Sequence, residues 1–195
     1  MPFSEDSGGF GMGPIELSIL FEEFGKALVI EPYLSTVVLS GTLIDNSSYE
    51  HKKDIIERIC SGSLHISLAY AEAKNSYNYN LPSTSLSSDL LLNGTKNLVL
   101  NGGNANKLVV SCIHNEELAL VIVNADKDGI SMNTFPTVDG QSCAEITFEN
   151  VSINSEDVIG TGDNALTLLN NSISLATLCV SAEAVGCMSS CYLKT

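Results

Sequence analysis

The sequence predicts an α+β chain in three zones: a helical N-terminal segment, a central antiparallel β-barrel, and the start of a C-terminal helical bundle. Two observations carry this. Apolar residues recur at helical spacing before about residue 62 and again from about residue 161. Between them, residues 63–160 hold many short strand-like runs separated by turn residues, the pattern of a barrel or sandwich.

In the first zone, 1–62, Gly13-Pro14 opens a helix, since proline in the first turn lacks an N–H the helix would not use. Ile15, Ile19, Phe21 and Leu28 recur near helical spacing with charged residues between them, and Pro32 ends the run. A second helix is expected over 33–43. A third spans about 49–60, with Ile55, Ile56 and Ile59 inward, and stops near Gly62.

In the second zone, Ile66 to Tyr70 partly alternates. Asn93-Gly94 between two leucine-rich runs, 90–92 and 98–100, reads as a tight hairpin turn. Runs 108–113 and 118–123 flank a short acidic turn, and 130–135 and 144–148 add two more strands. In the third zone, 161–195, Asp163 or Asn164 caps a long apolar helix. Such a helix should lie between others, so partner helices are expected from a longer chain or another subunit.

Composition narrows the function classes. With 44% hydrophobic and 16% charged residues the chain is globular, not disordered. A net charge of −14 without a basic patch argues against nucleic-acid binding. No unbroken apolar run reaches the roughly 18–20 residues of a membrane span, and the acidic, glycine-rich start is unlike a secretory signal. A cytoplasmic protein with no membrane partner is the expectation. The six cysteines form no CxxC pair and read as reduced thiols. The four Asn-x-Ser/Thr sequons carry little weight without a secretion signal.

Candidate chemistry within the chain is sparse. Gly8 to Gly13 is glycine-rich but lacks the preceding strand of a dinucleotide loop. His51, His65 and His114 stand apart, no nucleophile–base set is visible, and Glu116-Glu117 falls in a turn. Neither a catalytic residue nor a metal site is expected in this chain.

The ordered segments nonetheless resemble a known family. Residues 2–13 (PFSEDSGGFGMG) resemble the "PEEYGGLGLG" opening of acyl-CoA dehydrogenases, and GPIELSILFEEFGKALVIEPYLSTVVLSG resembles the "FEELGRAL…EPYL" helices that follow. His51-Lys52-Lys53 with Ile59-Cys60-Ser61-Gly62 is similar to the "QK…LP…SG" helix, and LLNGTKNLVLNGGNANKLVVS to "LNGxKxxxxxGxxADxxxV". Thr137 to Gly140, Glu145 to Phe148, Val151 and Gly160 match the closing strands, and Ala182 to Gly186 the first C-terminal helix. Within the family the chain is most similar to small subunits of the pimeloyl-CoA dehydrogenase type, and it looks like a fragment.

The resemblance implies FAD-dependent α,β-dehydrogenation of an acyl-CoA thioester. A Glu carboxylate takes the α-proton, FAD takes the β-hydride, and electrons pass to an electron-transfer flavoprotein. It implies flavin contacts at Leu68, Tyr70, Ala71, Leu98 and Leu100, and substrate contacts at Ser76 and Tyr77. The family base and its "RxQFG" segment fall beyond Thr195. A homo- or hetero-tetramer with a related subunit is implied. Two family motifs are altered: "TEPxxGSD" becomes Ala71-Glu72-Ala73-Lys74-Asn75-Ser76-Tyr77-Asn78, and "WIT" becomes Leu98-Val99-Leu100. Each lost polar contact is worth on the order of 1 kcal/mol. The alternative is a non-catalytic paralogue that keeps the fold for assembly or acyl-CoA binding. A free-standing β-barrel binding module would leave the flanking helices unexplained.

Overall fold

The computed structural model describes residues 1–73 and 78–193. Helix α1, Pro14–Ala27, starts where the Glu16 carboxylate accepts the Gly13 N–H at 2.8 Å. It ends at Leu28 in the left-handed region. Its buried stripe is Leu17, Phe21 and Gly25, whereas Ile15 and Ile19 stay exposed. The apolar spacing alone favoured Ile15 and Ile19. The close approach at Gly25 sets the inner face instead.

The expected second helix forms, but as π-helical turns over Leu34–Gly41 that run into α2, Thr42–Asp45. The Ser40 hydroxyl donates to the Ser35 carbonyl five residues back, and Gly41 lies against Phe3, where a Cβ would sit 2.6 Å from the ring. Helix α3, Lys52–Cys60, buries Ile55, Ile56 and Ile59 as its spacing predicts.

Eight strands follow: β1 Ile66–Ala69, β2 Ser85–Leu86, β3 Leu91–Leu100, β4 Lys107–His114, β5 Glu117–Asn124, β6 Ile130–Pro136, β7 Ser142–Ser152 and β8 Val158–Thr161. Their order is β6-β7-β3-β2-β4-β5-β8, with β1 also on β4. The predicted closed, antiparallel barrel is therefore corrected. Among the described residues β6 and β8 end the path without pairing to each other, and β1 and β2 both run parallel to β4. Instead the sheet folds over a core of Leu92, Val99, Val110, Val121, Ile146 and Phe148. The outward face of β4 and β5, with Val109, Leu120 and Ile122, packs on the helices. Both faces of these strands are covered, which is why they read as unbroken apolar runs.

The predicted Asn93-Gly94 hairpin is also corrected: 91–100 is one strand. Gly94 sits at a break in the β3/β7 register, with φ +144. A Cβ there would fall 2.6 Å from Thr84 Oγ1 and 2.7 Å from Thr84 Cα, so glycine serves a close approach and not a turn. Gly94→Ala should cost about 2 kcal/mol in a urea titration. A loss within about 0.5 kcal/mol would contradict this contact. The β4–β5 turn is as predicted, with Asn115 and Glu116 both at positive φ, as a two-residue hairpin requires.

Helix α4, Gly162–Leu193, presents Ala165, Leu168, Leu169, Ser172, Ala176, Cys179 and Gly186 to α1, the π-helical turns and β5. Its outer side carries a second apolar stripe, Leu178, Val185, Met188 and Tyr192, all exposed. The expected burial between helices holds on one face. By length and composition α4 is also apolar enough to cross a membrane, which its run, interrupted by polar residues, did not predict.

Candidate functional site

Strand β1 runs out at Ala69, and the chain leaves the sheet edge between β1 and β3, which do not pair. A buried polar lock bridges that gap. Lys96, on β3, is fully buried; its ammonium donates to Glu72 Oε1 at 2.8 Å and to Ser111 Oγ at 3.1 Å. Glu72 also accepts from the Ser83 N–H at 2.6 Å, the Thr84 N–H at 3.0 Å and the Thr84 hydroxyl at 2.7 Å. Burial pushes the Glu72 carboxyl up, but the donors from Lys96, Thr84 and Ser83 outweigh it and hold the group down at about 2. Burial pulls the Lys96 ammonium down, opposed by the Glu72 carboxylate.

The sign of the pH effect follows. The folded-state value of Glu72 lies below its ordinary 4.5, so its contribution is present above that pH and fades as pH falls toward about 2. Denaturation midpoints recorded from pH 5 to pH 2.5 should decline, and Glu72→Gln should flatten the decline. An unchanged slope in that variant would reject the linkage.

The lock positions the predicted cofactor residues. The Ala71 carbonyl accepts the Asn97 N–H at 2.9 Å, and Asn97 Oδ1 accepts the Ala73 N–H at 3.1 Å. Leu98 follows at a second register break in β3, at φ +51 and 62% exposed. A branched residue held left-handed and turned outward on a bulge marks stored strain, a feature that gathers at functional sites. Leu68 is buried and supports the region from behind. Tyr70 and Leu100 are half-buried and pack on the same helix-facing core. The structure thus brings Leu68, Tyr70 and Leu100 to the helix-facing core, ties Ala71 to β3 through Asn97, and sets Leu98 apart on the surface. Ser76 and Tyr77 lie outside the described residues.

Three features escaped the sequence reading. Tyr79 stands edge-on to Tyr70 at 5.9 Å, and its hydroxyl donates to Asn170 Oδ1 on α4 at 3.1 Å, tying the β1–β2 connection to the last helix. Tyr33 Oη and Thr36 Oγ1, beside the π-helical turns, are buried without a hydrogen-bond partner among the described residues. Burial, followed by the neighbouring Cys179 and Cys60, pushes the Tyr33 hydroxyl up to about 12. Third, Leu100 lines a cavity of about 400 Å³ that also touches Leu28 to Ile30 just after α1, the β6–β7 turn and Glu183 of α4. No local motif announced the Tyr79–Asn170 bond or the cavity, because each joins residues far apart in the chain.

The remaining candidates are structural. All six cysteines are free, with Cys112, Cys143 and Cys179 buried, and no metal-binding cluster occurs among the described residues. His114 contacts the Leu86 carbonyl through Nδ1 at 3.0 Å, and His51 stacks edge-on against Tyr49.

Helices, a folded-over sheet and a long final helix match solved acyl-CoA dehydrogenase structures in fold. In fold and in sequence the chain is similar to acyl-CoA dehydrogenases. It is 25% identical over 208 residues to the mitochondrial isovaleryl-CoA dehydrogenase of Solanum tuberosum, covering 96% of this chain and 49% of that one. A glutaryl-coenzyme A dehydrogenase in complex with glutaryl-CoA superposes with a TM-score of 0.87 at 21% identity, over 97% of this chain and 52% of that one. The ChsE4–ChsE5 complex from Mycobacterium tuberculosis superposes with a TM-score of 0.79 at 22% identity, over 93% and 49%. The chain spans about half the length of the curated relatives it matches. No family profile matches it.

Proposed function

We propose that this chain is part of an acyl-CoA dehydrogenase-like flavoprotein that performs FAD-dependent α,β-dehydrogenation of an acyl-CoA thioester, paired with a related subunit in the cytoplasm. One observation supports the reading: the Glu72–Lys96 lock, with the Ala71–Asn97 bond, fixes the chain after β1 against β3. Residues 1–62, 63–160 and 161–195 would be the end of a helical domain, the middle domain and the first helix of a further one.

The fit of FAD to these residues is apolar. Leu98 offers an exposed apolar contact on the β3 bulge, and Leu100 and Tyr70 are half-buried on the helix-facing side. When bound, the flavin would supply the hydride acceptor. The chain's own residues orient and shield: the lock holds Tyr70 to Ala73 against β3, and the Tyr79–Asn170 bond closes the connection against α4. A proton-accepting Glu and an electron-transfer flavoprotein partner would come from outside this chain.

The test is to express the protein with its related subunit and follow FAD through purification. A yellow complex that oxidises an acyl-CoA with ferricenium as acceptor is expected. The second reading, a non-catalytic paralogue that serves assembly or acyl-CoA binding, is favoured by alanine and leucine at the polar flavin positions 71, 98 and 100. A colourless, inactive complex would establish it.

A further inference from the structure

Strand β6 presents an open edge. It pairs with β7 alone, in unbroken register from Ile130↔Phe148 to Pro136↔Ser142. The Glu149 N–H donates to the Gly129 carbonyl and the Thr137 N–H to the Gln141 carbonyl, both at 2.9 Å. Odd-numbered residues of β6 therefore turn their backbone groups toward β7, and even-numbered residues turn theirs away. The Ile130 N–H is taken by the Lys127 carbonyl at 3.2 Å, and Pro136 has no N–H to offer. Met132 and Thr134 remain: among the described residues their backbone N–H and C=O groups have no partner.

Edge strands are ordinarily blunted by charge, proline, bulges or brevity. The other end of the sheet follows that rule: β8 is four residues long, lies between Asp157 and Asp163, and packs on α4. Strand β6 is seven residues long, shows no bulge, and carries no charge from Ile130 to Val138. Its one proline stands at the very end. In a chain of net charge −14, this neutral run lets two copies approach without setting like charges against each other. Ser131, Asn133 and Thr134 are exposed and uncharged, so the edge suits another strand better than an apolar helix.

We propose that β6 is a dimerisation edge, pairing antiparallel with β6 of a second copy about a two-fold axis at Asn133. Asn133 is the midpoint of Ile130–Pro136, so this register overlaps the whole strand. Met132 of each copy then faces Thr134 of the other, and each such pair exchanges both N–H···O bonds. Asn133 faces its own counterpart across a non-hydrogen-bonded position, with Cα atoms about 4.5 Å apart. The contact is isologous and merges two sheets into one. It depends on neither flavin binding nor the dehydrogenation reading.

Sedimentation of the whole chain over a concentration series should show a reversible monomer–dimer equilibrium. Thr134→Pro deletes an outward N–H and leaves the β7 pairing intact. It should weaken the dimer tenfold or more, because each copy loses a bond. Asn133→Lys sets two ammonium groups face to face and should do the same. An unchanged circular dichroism spectrum shows that each variant is folded. Under mild oxidation Asn133→Cys should crosslink, since its counterpart is within disulfide reach. Ser131→Cys, whose counterpart lies roughly 13 Å away along the strands, should stay at the level of the parent chain. A chain that stays monomeric, or equal crosslinking at positions 131 and 133, would overturn the proposal. So would a dimer that survives both Thr134→Pro and Asn133→Lys, which would move self-association to the exposed α4 stripe.

Discussion

Gly186→Ala should destabilise the chain by about 3 kcal/mol, the upper range for forcing atoms into a packed contact. Helices α1 and α4 cross through a reciprocal glycine pair. A Cβ on Gly186 would fall 2.0 Å from the Glu22 carbonyl oxygen, and one on Gly25 would fall 1.9 Å from that of Glu183. Both obstacles are backbone and cannot rotate aside. The helices must separate, loosening the contacts of Cys187 Sγ with the Gly25 carbonyl at 3.2 Å and of Ser190 Oγ with that of Lys26 at 3.3 Å. Gly62→Ala is the control. It faces open space and, at φ +73, carries a backbone cost alone, about 1 kcal/mol. The double variant Gly25→Ala/Gly186→Ala should cost less than the sum of its parts, because the first substitution already parts the helices. Urea midpoints that rank Gly186→Ala with Gly62→Ala would mean the helices do not cross this closely.

Lys96→Met should be as damaging, at about 3–5 kcal/mol, since it strands a buried carboxylate. Glu72 would keep its donors from Ser83 and Thr84 but lose the charge that balances it in an almost water-free place. The cycle closes with Glu72→Gln and the double variant. Glutamine still accepts from the two N–H groups, so the neutral pair should recover about 2 kcal/mol relative to Lys96→Met alone. Additive losses would show that the two groups do not interact and would remove the lock from the site.

Much of this fold was legible in local pattern. The α3 stripe of Ile55, Ile56 and Ile59 and the β4–β5 hairpin follow from periodicity and turn chemistry alone. What escaped was decided by contacts distant in sequence. Asn93-Gly94 carries the signature of a turn, but Thr84 lies against Gly94 and makes it a bulge. Ile15 and Ile19 have inward spacing, but the glycine crossing rotates α1 so that they face out. The open sheet could not be read from strand runs, because closure depends on β6 meeting β8, 22 residues apart at their nearest ends by numbering (136 and 158), and no local signal reports it. For the site, resemblance pointed to the strand ends around Tyr70–Ala71 and Leu98–Leu100, and the structure adds the Glu72–Lys96 pair between those strands. Lys96 gave no hint of burial, since a lone lysine in a strand is ordinarily solvated.

Strand β2 is two residues long, yet it supplies the pairing that joins β3 to β4: Ser85 faces Asn93 and Ile113, and Leu86 faces Leu92 and His114. The sheet is thus a book with a very short spine, one leaf being β6-β7-β3 and the other β1, β4, β5 and β8. Pulled apart, the pages should part along that spine before either leaf frays, and deuterium should enter there first.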